Sequence, residues 1–293
     1  MNQSITRKKL SKNMKYIYIL WAIAIIFFIV EQTTNFVPGR LQPAINIVLL
    51  LGFVIVHGLS RYRLRDFLIF FGLAFIVGNI FENLSIMTGF LTGHYYYTNA
   101  LGIKLFSVPI LIGPYYFAMG YLAWTLANIL LDIKRNRLQK WDIFLVPFVG
   151  SFIMTIWDLT IDPVNSTILK QWIWPNGGAY FGVPIINFVC WFLVVYVFYQ
   201  LFALYISKIT NKDKSPELQL PNAYFYQAVL MYFIVGLGPL LIALTGKNMQ
   251  ITNQVGVTWF AKDIYQSMAL VAVFTMWFVS LLCALRLFRK SET

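Results

Sequence analysis

Long apolar runs, broken by short polar stretches, make up most of the chain. Eight runs are long enough to cross a bilayer as a helix, which takes roughly 20 apolar residues. They fall near 16–37, 43–60, 66–89, 107–131, 141–160, 183–207, 222–245 and 263–287. The first is too long, and too poor in small residues at a cleavage site, for a signal peptide. The pattern predicts an all-α, polytopic membrane bundle of about eight spans, forming a single transmembrane domain over 1–293. The breaks include 90–106 and 161–182 on one side and the charged, Pro-containing 208–221 on the other. No repeat or low-complexity tract interrupts them.

Composition fits that reading. The chain is 59% hydrophobic and 12% charged, against about 25% charged in soluble domains. Its net charge of +12 does not signal nucleic acid, because the basic residues sit in the short loops. Arg7, Lys8, Lys9, Lys12, Lys15, Arg61, Arg63, Arg65 and the clusters at 134–140, 208–214 and 286–290 fall on one side. Only Arg40, Lys104, Lys170, Lys247 and Lys262 fall on the other. The positive-inside rule then places both termini in the cytoplasm. Cys190 and Cys283 lie in apolar runs at different depths, so they do not bridge and say nothing of redox compartment.

The chain is organised around residues 157–191, where the apolar pattern fails. This stretch holds Asp158, Asp162, Trp172, Trp174, Gly177-Gly178, Tyr180, Pro184 and Asn187. Carboxylates four apart share a helix face. The Asn-Gly-Gly run makes a tight reversal, and Pro184 suits the first turn of the next helix. At ~1.5 Å per residue, Glu82 lies about 24 Å along its span, in the outer third. Asp158 is similarly far along the fifth span. Glu31, Asn187 and Asp263 also lie toward the outer side. Ionisable groups in a bilayer are expensive and read first as functional. The plainer reading for Asp263 is an interfacial pair with Lys262. Asn79 and Asn83 share a helix face with Glu82 and could hydrogen-bond it.

Other candidate chemistry is thin. His57, near the inner end of its span and with no partner in sight, is read as an interfacial histidine. His94 lies in a loop on the correct side. Two separated His and two Cys do not suggest zinc, and no phosphate loop, GxSxG elbow or dinucleotide fingerprint appears. Asn165-Ser-Thr matches a glycosylation acceptor, a pattern short enough to arise by chance. Tyr95-Tyr96-Tyr97, Tyr115-Tyr116 and Trp172/Trp174 are denser than an interfacial belt requires and suggest an aromatic tunnel whose faces could stabilise a cation.

ENLSIMTGFLTGHYYY, SVPILIGPYYFAMGY and above all WDLTIDPV…WIWPNGGAYFGVPIINFVCW resemble the carotenoid biosynthesis protein family. That family includes the CruF-type carotenoid hydratases. The motifs cover 78–191, and the rest matches through span pattern. Ser107 and Val189-Cys190 stand where a Gly is usual, and Tyr116 where a Trp is usual. These departures touch pocket shape, not the acids.

The resemblance implies water addition to the terminal double bond of a linear C40 or C50 carotenoid, with no cofactor. Such a step needs a carboxylic acid to protonate the alkene and a carboxylate to orient water. The expected roles are Glu82 as acid, flanked by Asn79 and Asn83. Asp158 and Asp162 serve as base and water-positioning pair, oriented by Asn187. Tyr95, Tyr97, Trp172, Trp174 and Tyr180 contact substrate. The acid and base assignments could be exchanged. The expected partners are a carotenoid or other isoprenoid lipid, water and the bilayer, with no nucleic acid and no metal. The expected place is the cell membrane, with the site toward the outer face. An isomerase or cyclase, a carotenoid-binding protein and a proton-coupled transporter are the alternatives.

Overall fold

The apolar runs fold as helices, and the computed structural model describes residues 14–23, 25–27, 30, 42–133, 138, 140–210 and 220–289. The helices are α1 (Met14–Phe27), α2 (Gln42–Arg61), α3 (Leu64–Thr88), α4 (Ile112–Leu130) and α5 (Asp142–Asp162). They continue with α6 (Ile185–Thr210), α7 (Asn222–Val235), α8 (Leu237–Thr245), α9 (Ala261–Ala272) and α10 (Phe278–Arg289). Five helical segments are long and apolar enough to cross a membrane: Leu64–Thr88, Asp142–Ile168, Ile185–Ile209, Asn222–Thr245 and Ala261–Arg289. Their outward faces stay apolar, with Ile80 58%, Phe152 51% and Phe274 73% exposed. An apolar band of this kind on an isolated chain marks a surface made for lipid.

α4 is the centre. Every residue from Tyr116 to Ile129 is buried, and α2, α3, α5, α7 and α10 pack around it. Its tyrosines, Trp124 and Asn128 would be poor lipid-facing residues, but they suit a helix that touches only protein. Trp124 Nε1 donates to Tyr62 Oη at 3.0 Å, and Tyr199 Oη donates to the Gly120 carbonyl at 2.6 Å.

The structure departs from the sequence pattern in five places. The 107–131 run starts its helix only at Ile112, because β2 (Lys104–Leu105) and β3 (Val108–Pro109) pair first. The 141–160 run continues past Asp162 through a π-turn, Pro163–Ile168, which shortens the following loop. The 222–245 run divides at Gly236. The last run carries a second π-turn, Val273–Trp277. Residues 250–260, between the last two runs, form the hairpin β5 (Gln250–Thr252) and β6 (Thr258–Phe260).

His57 is not an interfacial residue. It is fully buried and stacks on Tyr224, ring centroids 3.8 Å apart. Its Nδ1 lies 2.5 Å from Tyr121 Oη, and its Nε2 lies 3.0 Å from the Tyr224 carbonyl. Its partners come from α4 and α7, 64 and 167 residues away in the chain, so local sequence gave no sign of them. Glu31 lies outside the described residues.

Candidate active site

Alternation along two short extended segments builds the wall of the site. β1 (Tyr96–Tyr97) pairs antiparallel with β4 (Trp172–Ile173), Tyr97 opposite Trp172. Successive side chains in extended chain point to opposite faces. Tyr95 and Tyr97 therefore face one way, both buried, while Tyr96 between them is 46% exposed. Trp172 and Trp174 follow the same rule. The rings meet across the pair: Tyr95 on Trp174 at 4.6 Å and Tyr97 on Trp172 at 5.8 Å. Thr98 adds a backbone bond to the Gln171 carbonyl at 2.9 Å, and Lys104 Nζ donates to the Tyr97 carbonyl at 2.6 Å.

Behind this wall α3 and α5 present three buried carboxyl groups to one cavity of 330 Å³. Glu82 Oε2 accepts from Tyr95 Oη and from Tyr97 Oη, the latter at 3.0 Å, and Oε1 accepts from Tyr116 Oη at 2.8 Å. Asp162 Oδ1 accepts from Trp172 Nε1 at 2.7 Å. Asn187 Nδ2 donates to Asp162 Oδ2 at 2.7 Å and approaches Asp158 Oδ2 at 3.4 Å. Among the described residues, no lysine or arginine forms an ion pair with any of the three. Burial, and then the Glu82 carboxyl, push the Tyr95 and Tyr97 phenols well above their ordinary range. Both phenols therefore remain donors at any physiological pH.

The loop between β4 and α6 is set by close backbone contact. A Cβ on Gly178 would stand 2.1 Å from Pro184 N and 2.1 Å from the Val183 carbonyl carbon, so only glycine fits. This contact fixes the chain entering α6 and hence Asn187. Tyr180 supports the same loop: its hydroxyl donates to the Leu159 carbonyl at 3.0 Å. Its burial, and then Asp162 and Asp158, push its phenol up to about 12. The rest of the cavity is mostly aromatic and aliphatic, with Asn46, Thr160, Asn165 and Gln171 as its further polar residues. Tyr116 stacks on Trp191 at 4.4 Å, and Trp157, Leu50, Met231 and Ile242 line other sides.

The structure thus gathers Glu82, Tyr95, Tyr97, Asp158, Asp162, Trp172, Trp174 and Asn187 at one cavity. Three expected residues lie apart from its lining. Tyr180 holds the loop, as described. Asn83 donates to the Asn79 carbonyl at 2.8 Å and accepts from Ser107 N at 3.0 Å. Asn79 donates to the Phe75 carbonyl at 3.2 Å. Neither amide bonds Glu82, whose two oxygens both accept from tyrosines instead. His94 is exposed, with its ring over Gly89, which takes a left-handed φ of 71°. Asp263 is exposed at the start of α9. Asn165 lies in the π-turn and lines the cavity, and the following Ser166 and Thr167 are buried, so the acceptor pattern is not on the surface.

The main residue missed from sequence is Tyr116. It lies 34 residues from Glu82, on another helix, and its sequence signs were the density of the Tyr115-Tyr116 pair and a departure from the family's usual Trp. Trp157 and Trp191 were missed as walls because tryptophans in apolar runs look like ordinary span residues.

A comparison with curated proteins finds no match, and neither does one with solved structures. The sequence model of a family described as carotenoid biosynthesis protein does match, over residues 42–249. That match spans most of the 293 residues and includes every residue gathered at the cavity. The chain belongs to the carotenoid biosynthesis protein family.

Proposed function

We propose that this protein is a membrane carotenoid hydratase, adding water to the terminal C=C of a linear carotenoid without a cofactor. Family membership supports a role in carotenoid biosynthesis. The observation that carries the finer reading is the convergence of Glu82, Asp158 and Asp162 on one largely apolar, aromatic-walled cavity. Hydration of an unactivated trisubstituted alkene begins with proton transfer from a strong acid to carbon, giving a tertiary cation that water captures. Carboxyl groups supply both the proton and the base for water, each role contributing perhaps ~10²–10⁴ in rate. The faces of Tyr95, Tyr97, Trp172 and Trp174 attract the developing positive charge.

Size supports a reaction at a chain end. A cavity of 330 Å³ is at the small end of ligand pockets, which run roughly 300–1,000 Å³. It suits the end of a molecule about as long as the hydrocarbon core is thick, roughly 30 Å, with the remainder lying toward lipid. In this reading the chain is a single transmembrane domain that crosses the membrane eight times with both termini cytoplasmic, and the site lies toward the outer face, where water is available.

A second reading, isomerisation or ring closure through the same cation, has one observation in its favour. Asp162 is 1% exposed and both its oxygens already hold protein donors. The test is pigment analysis by mass after expression in a strain that makes a linear carotenoid with open isopropylidene ends. Hydration predicts a gain of one water per reacted end, abolished by Asp158→Asn. An isomer of unchanged mass would move the protein to the second reading. Pigment bound but unaltered would make it a carrier and end the hydratase reading.

A further inference from the structure

The three carboxyl groups on the cavity are not equally free to reach a substrate. Glu82 has both oxygens occupied by phenols, Tyr116 on one and Tyr95 and Tyr97 on the other. Asp162 has one oxygen held by Trp172 and the other by Asn187, both at 2.7 Å. Asp158 has a single contact, on Oδ2 at 3.4 Å, longer than an ordinary N–H···O bond of about 2.7–3.2 Å. Its Oδ1 has no hydrogen-bond partner among the described residues, and the side chain lines the cavity.

From this asymmetry we infer that Asp158 is the proton donor of the reaction and Asp162 the acceptor of the proton from water. The inference rests on the hydratase reading above, moves the acid role expected for Glu82 to Asp158, and leaves Asp162 as base. A donor to carbon must aim its own O–H at the alkene. A proton on Glu82 has one lone-pair site left, on Oε1 beside the Tyr116 hydroxyl, and neither oxygen is free of a phenol to aim at the alkene. Asp158 has an oxygen to spare.

The step balances without oxidant or reductant. The Asp158 O–H bond breaks and a C–H bond forms at the less substituted carbon, using the π pair of the C=C. Water gives a lone pair to the resulting tertiary cation, forming the C–O bond, and its released proton goes to Asp162. Each oxygen of Asp162 retains a lone pair for this purpose. The proton then passes from Asp162 to Asp158, one helical turn away, and restores the starting state. Asn187, whose single amide nitrogen touches both aspartates, is a positioning residue for the pair.

Deuterium labelling separates the roles. Membranes containing the full chain would be incubated in heavy water with an acyclic carotenoid bearing isopropylidene ends. Product and recovered pigment would then be analysed by mass. Wild type is expected to give hydrated product with one carbon-bound deuterium per reacted end. Asp158→Asn should lose hydrated product and deuterium uptake together, by at least about 100-fold. Asp162→Asn should lose hydrated product by a similar factor. Its recovered pigment and double-bond isomers should still carry deuterium, because the cation forms and then sheds a proton. Asp158→Glu should regain part of the uptake, and detergent gel filtration would show that each variant is folded.

Uptake that survives in Asp158→Asn would overturn the assignment while leaving hydration standing. So would uptake that disappears in Asp162→Asn, or a folded Asp158→Glu without uptake. Should Asp158→Asn fail to fold, Asp162→Asn and Asp158→Glu still decide the question. Wild-type membranes giving neither hydration nor deuterium would remove both the assignment and the reading beneath it.

Discussion

At the scale of single residues, the site is an arrangement of donors around acids. Glu82 is buried in the bundle, and what makes it tolerable is three phenols that each aim a proton at it. Tyr116 is the only one of the three that comes from a helix rather than a loop. Removing its hydroxyl leaves Glu82 Oε1 without a partner, a loss of about 1–3 kcal/mol for a buried group. Tyr116→Phe should therefore lower the thermal midpoint of the purified protein. Tyr96→Phe, on the exposed side of the same extended run as Tyr95 and Tyr97, should leave it unchanged. Equal losses in the two variants would show that the phenol on Glu82 has no special part. The acids themselves were legible in the sequence, because carboxylates within apolar runs have few ordinary reasons to be there. Their partners were not. Asn79 and Asn83 have the right helical spacing, yet their amides go to backbone groups and to Ser107. Spacing decides which face a side chain takes and does not decide which acceptor it finds.

At the scale of elements, the two loops that carry β1 and β4 act as one unit. Both loops are rich in glycine and aromatic residues, and pairing of β1 with β4 joins them. The join is only two residues long on each strand, so the surrounding contacts hold it in register. Gly178 is the most exacting of these. Gly178→Ala would force its new methyl against the backbone of Val183 and Pro184 at 2.1 Å. It should displace the start of α6, move Asn187 away from both aspartates and abolish pigment conversion. The helical circular dichroism of the purified protein should stay near that of wild type, because the helices do not depend on this loop. A variant with normal conversion would show that the loop adapts and that Asn187 is held by α6 alone. The π-turn after Asp162 is another element that sequence did not disclose. Pro163 offers no N–H to the helix, and the widened turn carries Val164 and Asn165 to the cavity wall.

At the scale of the whole molecule, a buried polar centre is wrapped in an apolar exterior. α4 carries no lipid-facing stripe because other helices surround it. The proposed orientation follows from the charges of the loops, and reporter fusions can test it. Fusions in 208–221 should report cytoplasm, and fusions near 98–102 and 175–177 the opposite side. A cytoplasmic signal from the latter two would invert the proposed face of the site. The apolar runs by themselves determined that the chain is helical and membrane-like, since burying backbone groups in lipid leaves few other solutions. The sequence also marked which acids stood out, and its motifs pointed to the family. Only the tertiary structure decided which tyrosines meet Glu82, that Asp158 is the least engaged of the three acids, and that His57 is packed among aromatics. These depend on contacts between helices far apart in the chain. No periodicity within one helix encodes the rotation and depth at which it meets another.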